Sequence, residues 1–261
     1  MNNLPIIGVN QMNEDMVPIL PDEKLPFVCS PANSCFNDCC RDLNQFLTPY
    51  DILRLKNSLK LKSSDFLRKY TSMHKGPGTG LPVISFKPDP DSGHACPFVT
   101  KEGCSVYADR PASCRMYPLA RAITKSRETG EITEYFALIE EPHCKGFGQK
   151  RSQTVKQWIK TQDVQIYNGM NDKLMEIISL KNSTMPGNLE GEQEDNFYLA
   201  CYDLDTFREK IFNDAFLSKL DIPGTVLKKI KKDDIALLDF GFEWIKYFLF
   251  GKGMKFEQLG S

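Results

Sequence analysis

Apolar residues recur at helical spacing soon after the first group of cysteines. In the stretch LTPYDILRLKNSLKL, Ile52, Leu55 and Leu59 are three to four residues apart, which is the spacing of one helix face. Thr48 can cap the amino end of such a helix, and Pro49 suits its first turn. These signals predict a helix across this stretch. The next stretch, SSDFLRKYTSM, predicts a second and shorter helix.

Two stretches rich in β-branched and aromatic residues predict strands. They are LPVISFK, which follows the glycine-rich break HKGPGTG, and EYFALIE, which precedes the last cysteine of the first half. Pro111 in DRPASCRMYP predicts the start of a short helix that carries Cys114. Residues 1–28 show no clear period, so we expect an irregular amino-terminal arm there.

Helical periodicity dominates the second half of the chain. It is present in SQTVKQWIKTQDVQIYNGMNDKLMEIISLKN, in LDTFREKIFNDAFLSKL and in DDIALLDFGFEWIKYFLF, whereas the acidic stretch MPGNLEGEQEDN predicts an exposed linker. We therefore expect an α+β, mostly α-helical fold. In it, a cysteine-bearing region of residues 29–150 with short strands packs against a helical region of residues 151–261 as one compact unit.

Composition and charge exclude several classes of protein. A chain of 261 residues can bury a sufficient core without disulfides. The formal net charge is −1 and there is no basic block, which predicts that the protein does not bind nucleic acid. The amino-terminal residues lack the pattern of a signal peptide, and no run of about 18 apolar residues occurs. We therefore expect a cytoplasmic protein that does not associate with membranes.

Cysteine is distributed unevenly along the chain. Only Cys201 lies beyond residue 144, and its aromatic and aliphatic neighbours predict a buried structural thiol. In a reducing cytoplasm, clustered cysteines are more often metal ligands or catalytic groups than disulfides. The predicted metal ligands are the other eight cysteines: Cys29, Cys35, Cys39, Cys40, Cys96, Cys104, Cys114 and Cys144.

Cys39 and Cys40 are adjacent, which constrains how they can bind metal. Neighbouring side chains diverge by about 100° on a helix and point to opposite faces on a strand, whereas sulfurs on one tetrahedral metal lie about 3.8 Å apart. The pair therefore suits two metal atoms, either in two sites or in one polynuclear cluster.

The cysteine spacing favours iron–sulfur ligation. The gaps are C-x5-C-x3-C-C and C-x7-C-x9-C, without the C-x2-C pairs of many structural zinc sites, and iron–sulfur clusters tolerate wide spacing. Zinc or mononuclear iron is the alternative, and a metal-free thiol array is the third interpretation. Arg41, Arg110, Arg115 and Arg121 lie in or near the cysteine groups, and we assign Arg115 to the cofactor because it directly follows Cys114.

Histidines offer few further ligands. His94 and His143 lie close to Cys96 and Cys144 and can replace a cysteine, but eight cysteines suffice and exposed loop histidines are the simpler interpretation. No catalytic residue is identified, because no cysteine–base pair, phosphate loop or nucleotide fingerprint stands out.

The motifs CFNDCC, CPFVTKEGCSVYADRPASCRMYP and CKGFG resemble those of a known cysteine-cluster family. It is often labelled YkgJ-like and described as a zinc- or iron-chelating CxxCxxCC domain. The resemblance spans roughly Cys29 to Gly148, and it implies a bound metal, commonly an iron–sulfur cluster. The gaps of five and three residues in this chain differ from the two-residue gaps of the family pattern.

Two classes of function follow from these expectations. A module that holds an iron–sulfur cluster, of the 4Fe-4S type, or paired iron sites would transfer electrons, sense redox state or handle metal, together with a protein partner or redox donor. Some relatives of the family are flagellin lysine methylases, so the resemblance also implies a protein-modifying enzyme. A structural zinc protein is a further alternative.

Overall fold

Helices make up most of the second half of the molecule. The structure is a computed structural model that describes residues 16–41, 45–87, 90–126, 128–148, 153–213 and 220–254. The helices in these ranges are α1 (Pro49–Ser58), α2 (Ser63–Tyr70), α3 (Ala112–Met116), α4 (Val155–Thr161), α5 (Val164–Thr184), α6 (Glu192–Cys201), α7 (Leu204–Asn213), α8 (Gly224–Ile230) and α9 (Asp234–Phe250). None of these helices has the length and apolar character that crossing a membrane requires.

Short antiparallel strands form three small sheets in the described part of the chain. The strands are β1 (Met16–Ile19), β2 (Phe46–Leu47), β3 (Thr71–Lys75), β4 (Pro82–Phe86), β5 (Val99–Thr100), β6 (Gly103–Cys104), β7 (Leu119–Lys125) and β8 (Ile132–Ile139). Their orders are β1-β8-β7, β2-β4-β3 and β5-β6. With small sheets in the first half and helices in the second, the predicted α+β class is confirmed.

The predicted start of α1 also positions α3. The backbone N–H of Thr48 donates to the Asp51 carboxylate at 2.8 Å, and the Thr48 hydroxyl accepts from the Asp51 N–H, which completes a capping box. The other carboxylate oxygen of Asp51 accepts from the N–H of Ala112 at 2.8 Å. Burial raises the pKa of Asp51, and the hydrogen bonds from Thr48 and Ala112 oppose that rise. Asp51 thus joins the first turn of α1 to the helix that carries Cys114.

The expectation of an irregular arm is wrong for residues 16–28. β1 pairs with β8, with Met16 opposite Ile139, and Leu25 and Phe27 are fully buried in a small core that includes side chains of α4. The strand escaped prediction because its partner lies far along the chain. The earlier part of the predicted arm lies outside the described residues.

The acidic stretch after α5 is an exposed linker only in part: residues 185–191 connect α5 to α6, and from Glu192 onward the stretch is helical. Leu189 is fully buried, and its N–H donates to the Gly80 carbonyl at 2.9 Å. The acidic residues of this stretch begin α6, where carboxylates stabilise the positive end of a helix. The buried Lys181 ammonium donates to the carbonyls of Thr79 and Gly187. These hydrogen bonds hold the connection between α5 and α6 against the glycine-rich loop HKGPGTG.

Two predicted helices differ in extent from the observed ones, and a third is described only in part. The long helical stretch after residue 151 divides into α4 and α5 at Asp163, whose φ of 52° is left-handed. The stretch SSDFLRKYTSM ends its helix at Tyr70, and its remaining residues enter β3, which pairs with β4. The helix predicted from LDTFREKIFNDAFLSKL is present over Leu204–Asn213, and residues 214–219 of the prediction lie outside the described part.

Close packing of α6 against α9 depends on a glycine in the larger core. A Cβ atom at Gly241 in α9 would lie 2.4 Å from the carbonyl oxygen of Ala200 in α6. Gly169, in the second turn of α5, has open space where a Cβ would lie. Gly169→Ala is therefore a matched control for Gly241→Ala, because only the substitution at Gly241 creates a steric clash.

We expect Gly241→Ala to destabilise the protein by about 1–3 kcal/mol, because the two helices must separate to admit the methyl group. Gly169→Ala should stabilise it by about 0.5–1 kcal/mol through helix propensity. Denaturant unfolding of both variants measures the difference. A stabilising Gly241→Ala would contradict the close α6–α9 packing.

Candidate metal centre

The eight predicted ligands lie on loops and short elements, at or near the surface. Cys29, Cys39 and Cys114 are exposed, and the other five are partly exposed. Cys201 is instead fully buried in the larger core, which confirms its prediction as a buried thiol. The eight cysteines are therefore accessible groups held by a scaffold of loops.

Four of these cysteines line one cavity of ≈ 40 Å³. Two antiparallel segments build the cavity, since the N–H of Val28 donates to the Gly146 carbonyl at 2.9 Å and the N–H of Gly148 to the Pro26 carbonyl at 3.0 Å. We call the four the first cysteine group: Cys29, Cys35, Cys39 and Cys144.

A backbone amide already points at one sulfur of this group. The N–H of Lys145 donates to the Cys35 Sγ at 3.1 Å, across 110 residues of sequence. Amide donors of this kind stabilise a metal-bound thiolate and adjust its properties. The first cysteine group therefore has part of the hydrogen-bonded surroundings of a metal centre.

A second set of thiols surrounds the hairpin of β5 and β6. Cys104 lies opposite Val99 across the hairpin, the Val99 N–H donates to the Cys96 carbonyl, and Asp51 holds the start of the helix that carries Cys114. Desolvation of its thiol, and then the nearby Cys96, Asp51 and Cys104, together raise the pKa of Cys114 to about 12, although part of the residue is exposed at the surface. We call Cys96, Cys104 and Cys114 the second cysteine group.

The adjacent pair connects the two groups, because Cys39 belongs to the first and the backbone of Cys40 bonds to that of Cys96 in the second. Both cysteines of the pair belong to a 3-10 turn of Asp38–Cys40; Cys39 lines the first cavity, and the Cys40 carbonyl accepts from the N–H of Cys96 at 2.8 Å. A hydrogen bond with the Cys40 thiol, and then burial, raise the pKa of Cys39. Cys39 in turn raises the pKa of Cys29 in one group and of Cys96 in the other.

The sulfurs are not yet at ligand distances. Among the described residues, no three histidine, cysteine, aspartate or glutamate side chains are close enough together to hold a metal ion as they stand. Neutral thiols do not attract one another and thiolates repel, whereas a bound cation would draw reduced sulfurs together. The donor set of sulfur atoms fits iron, zinc or an iron–sulfur cluster.

The guanidinium of Arg115 is bound by the scaffold. It donates from Nε to the Arg110 carbonyl at 3.0 Å, from Nη1 to the Gln162 carbonyl at 2.8 Å, and from Nη2 to the Ala108 carbonyl. These bonds shape the loop before α3. The assignment of Arg115 to the cofactor stays a prediction, and through this loop its contribution would be indirect.

Arg110 faces the thiols of both groups. Its guanidinium packs 3.8 Å from the centre of the Tyr107 ring, and its charge lowers the pKa of Cys29 and of Cys104, against the rise caused by burial. Arg121, by contrast, pairs with Asp172 at 2.7 Å. The sequence offered four candidate arginines, and no local pattern distinguished Arg110 from the other three.

Two further groups at the first cavity bear on its chemistry. His143 lines the cavity, with Nε2 3.6 Å from the Glu141 carboxylate, so a role as an additional donor stays open to test. Tyr117 also lines it. Sequence reasoning missed Tyr117, although it stands in the motif CRMYP, because a tyrosine is not a usual metal ligand.

The comparisons with known proteins agree with this placement. Residues 28–145 match the family model CxxCxxCC, described as a "putative zinc- or iron-chelating domain", and the matched range includes all eight predicted ligands. No curated protein and no solved structure gave a significant match. The resemblance predicted from the cysteine motifs is therefore confirmed as a match to this family model over residues 28–145.

Proposed function

We propose that the protein binds metal through its eight clustered cysteines and holds an iron–sulfur cluster with a redox, electron-transfer or metal-handling role. The first cysteine group carries the proposal, because four thiols from two distant segments line one cavity. The family match supports zinc or iron as the class of metal.

The ligand chemistry favours soft or borderline metals. Every predicted ligand is a sulfur atom, and thiolates select iron–sulfur clusters, zinc or copper(I) over magnesium and calcium. The absence of a C-x2-C pair favours iron–sulfur ligation over the compact spacing of structural zinc. The ligands would be Cys29, Cys35, Cys39 and Cys144 on one side and Cys40, Cys96, Cys104 and Cys114 on the other.

A position near the surface suits electron exchange with a partner. Cys29, Cys39 and Cys114 are exposed, so a protein partner or redox donor would approach a cluster at these residues without any domain opening. The backbone N–H of Lys145 donates a hydrogen bond to Cys35 Sγ, and hydrogen bonds of this kind help to set the reduction potential of iron–sulfur clusters.

The size of the cavity supports zinc or mononuclear iron as a second candidate. Its volume of ≈ 40 Å³ is only a few times the roughly 10–15 Å³ that one water molecule needs. A single ion would enter with small movements of the walls, whereas a four-iron cluster would need the cysteine loops to separate.

Protein purified without oxygen should be brown, with broad visible absorption and acid-labile sulfide about equal to iron, because thiolate-held iron–sulfur clusters contain both elements. Elemental and sulfide analysis of one preparation measures this. A colourless protein with one or two zinc ions per chain and no sulfide would contradict the cluster and favour structural zinc.

The adjacent cysteines test the ligand assignment. Cys39→Ser and Cys40→Ser should each lower the metal content, because each removes a thiolate from a different coordination position and neither neighbour can fill both. Cys201→Ser, the matched control in the core, should leave it unchanged. Metal per chain is measured after identical anaerobic purification. Full metal in Cys40→Ser beside a loss in Cys39→Ser would refute the shared role of the pair.

A further inference from the structure

Tyr117 carries a buried hydroxyl group without a partner. Its oxygen is shielded from solvent and forms no hydrogen bond with any residue in the described part of the chain. Burying a hydroxyl without a hydrogen bond is unfavourable, and such groups are rare in folded proteins. The hydroxyl therefore requires an explanation that the protein scaffold alone does not give.

The Tyr117 side chain lies beside the first cysteine group. Tyr117 lines the same cavity as that group. Burial, and then the nearby Cys144 thiol and Glu141 carboxylate, raise the pKa of its hydroxyl, so both groups lie within reach of the hydroxyl although neither forms a hydrogen bond of normal geometry with it. An edge-on contact with Phe27, 5.8 Å between ring centres, holds the ring. Its backbone N–H donates to the Ser113 carbonyl at the end of α3. The ring contact and the backbone hydrogen bond together fix the position of the hydroxyl.

We propose that the Tyr117 hydroxyl donates a hydrogen bond to the Cys144 sulfur when that sulfur binds metal. The inference rests on the proposed metal-binding function. A neutral thiol is a weak acceptor, whereas hydrogen bonds to ionised groups are shorter and stronger. The hydroxyl therefore gains a strong acceptor at sulfur when metal is bound, and Tyr117 acts as a positioning residue that favours the loaded state.

This assignment gives Tyr117→Phe effects of opposite sign on two measurable quantities. Without metal, the variant loses a hydroxyl that has no partner, so the melting temperature should be unchanged or higher. With metal, the variant loses a bond to the thiolate, so the affinity should fall. A tyrosine that served only in packing would lower both quantities together.

Cobalt(II) provides the probe, because cobalt bound by thiolates has a charge-transfer absorption that reports both occupancy and sulfur bonding. Reduced, metal-free protein is titrated with Co²⁺ in the presence of a competing chelator, without oxygen. Tyr117→Phe should bind about 10-fold more weakly, as is usual when a residue hydrogen-bonded to a ligand is removed. Its charge-transfer band should also shift to lower energy, because the thiolate loses a stabilising donor.

Tyr167→Phe is the matched control. The Tyr167 hydroxyl is likewise buried and without a hydrogen-bond partner among the described residues, but it lies in the larger core. Its ring packs edge-on to Tyr50 at 4.9 Å and against the Arg115 guanidinium at 4.7 Å, and phenylalanine keeps both ring contacts. This variant should leave the Co²⁺ affinity and the absorption band unchanged.

Each remaining outcome decides the question. Co²⁺ affinity of Tyr117→Phe equal to that of the unmodified protein would overturn the inference, as would a fall in affinity together with a fall in melting temperature. The loss should persist in a Glu141→Gln background, and its disappearance there would make Glu141 the acceptor and overturn the assignment to sulfur. Failure of the unmodified protein to bind Co²⁺ would overturn the proposed function itself.

Discussion

The first cysteine group depends on antiparallel backbone contacts between two segments more than 100 residues apart. Hydrogen bonds from Val28 to Gly146 and from Gly148 to Pro26 hold the loop of Cys29 and Cys35 against the loop of Cys144. Gly146 has no room for a side chain, since a Cβ there would lie 2.5 Å from the Phe27 ring. Without this contact, the four thiols would belong to unrelated loops.

Buried polar groups give the second cysteine group its scaffold. The Asp51 carboxylate joins α1 to the start of α3, and Arg115 gathers the carbonyls of Ala108, Arg110 and Gln162. The Asp51 and Arg115 side chains form their hydrogen bonds with the backbone, so they hold the loops in place without acting on the sulfurs. The thiols and the Tyr117 hydroxyl are instead left with unused bonding capacity beside the first cavity.

The sequence predicted those features whose signals are local. Thr48 and Pro49 mark the start of α1, and the apolar pattern before Gly251 predicts α9. The clustering of cysteines, with the motif around Cys114, indicated a metal domain that the family match supports.

Features that depend on distant partners could not be predicted in this way. β1 is short, and its pairing with β8 appears only in three dimensions. The acidic residues after Gly191 suit either an exposed linker or the first turn of a helix, and in the structure they form the first turn of α6. The roles of Arg110 and Tyr117 follow from proximity in space, for which the sequence contains no periodic signal.

X-ray absorption spectroscopy at the edge of the bound metal tests the central claim most directly, because it measures the ligand atoms themselves. We expect a first shell of sulfur alone, about four atoms per metal at about 2.3 Å. This result would hold for iron–sulfur clusters and for zinc alike. A shell dominated by nitrogen or oxygen at about 2.0–2.2 Å would contradict a metal centre built from the two cysteine groups.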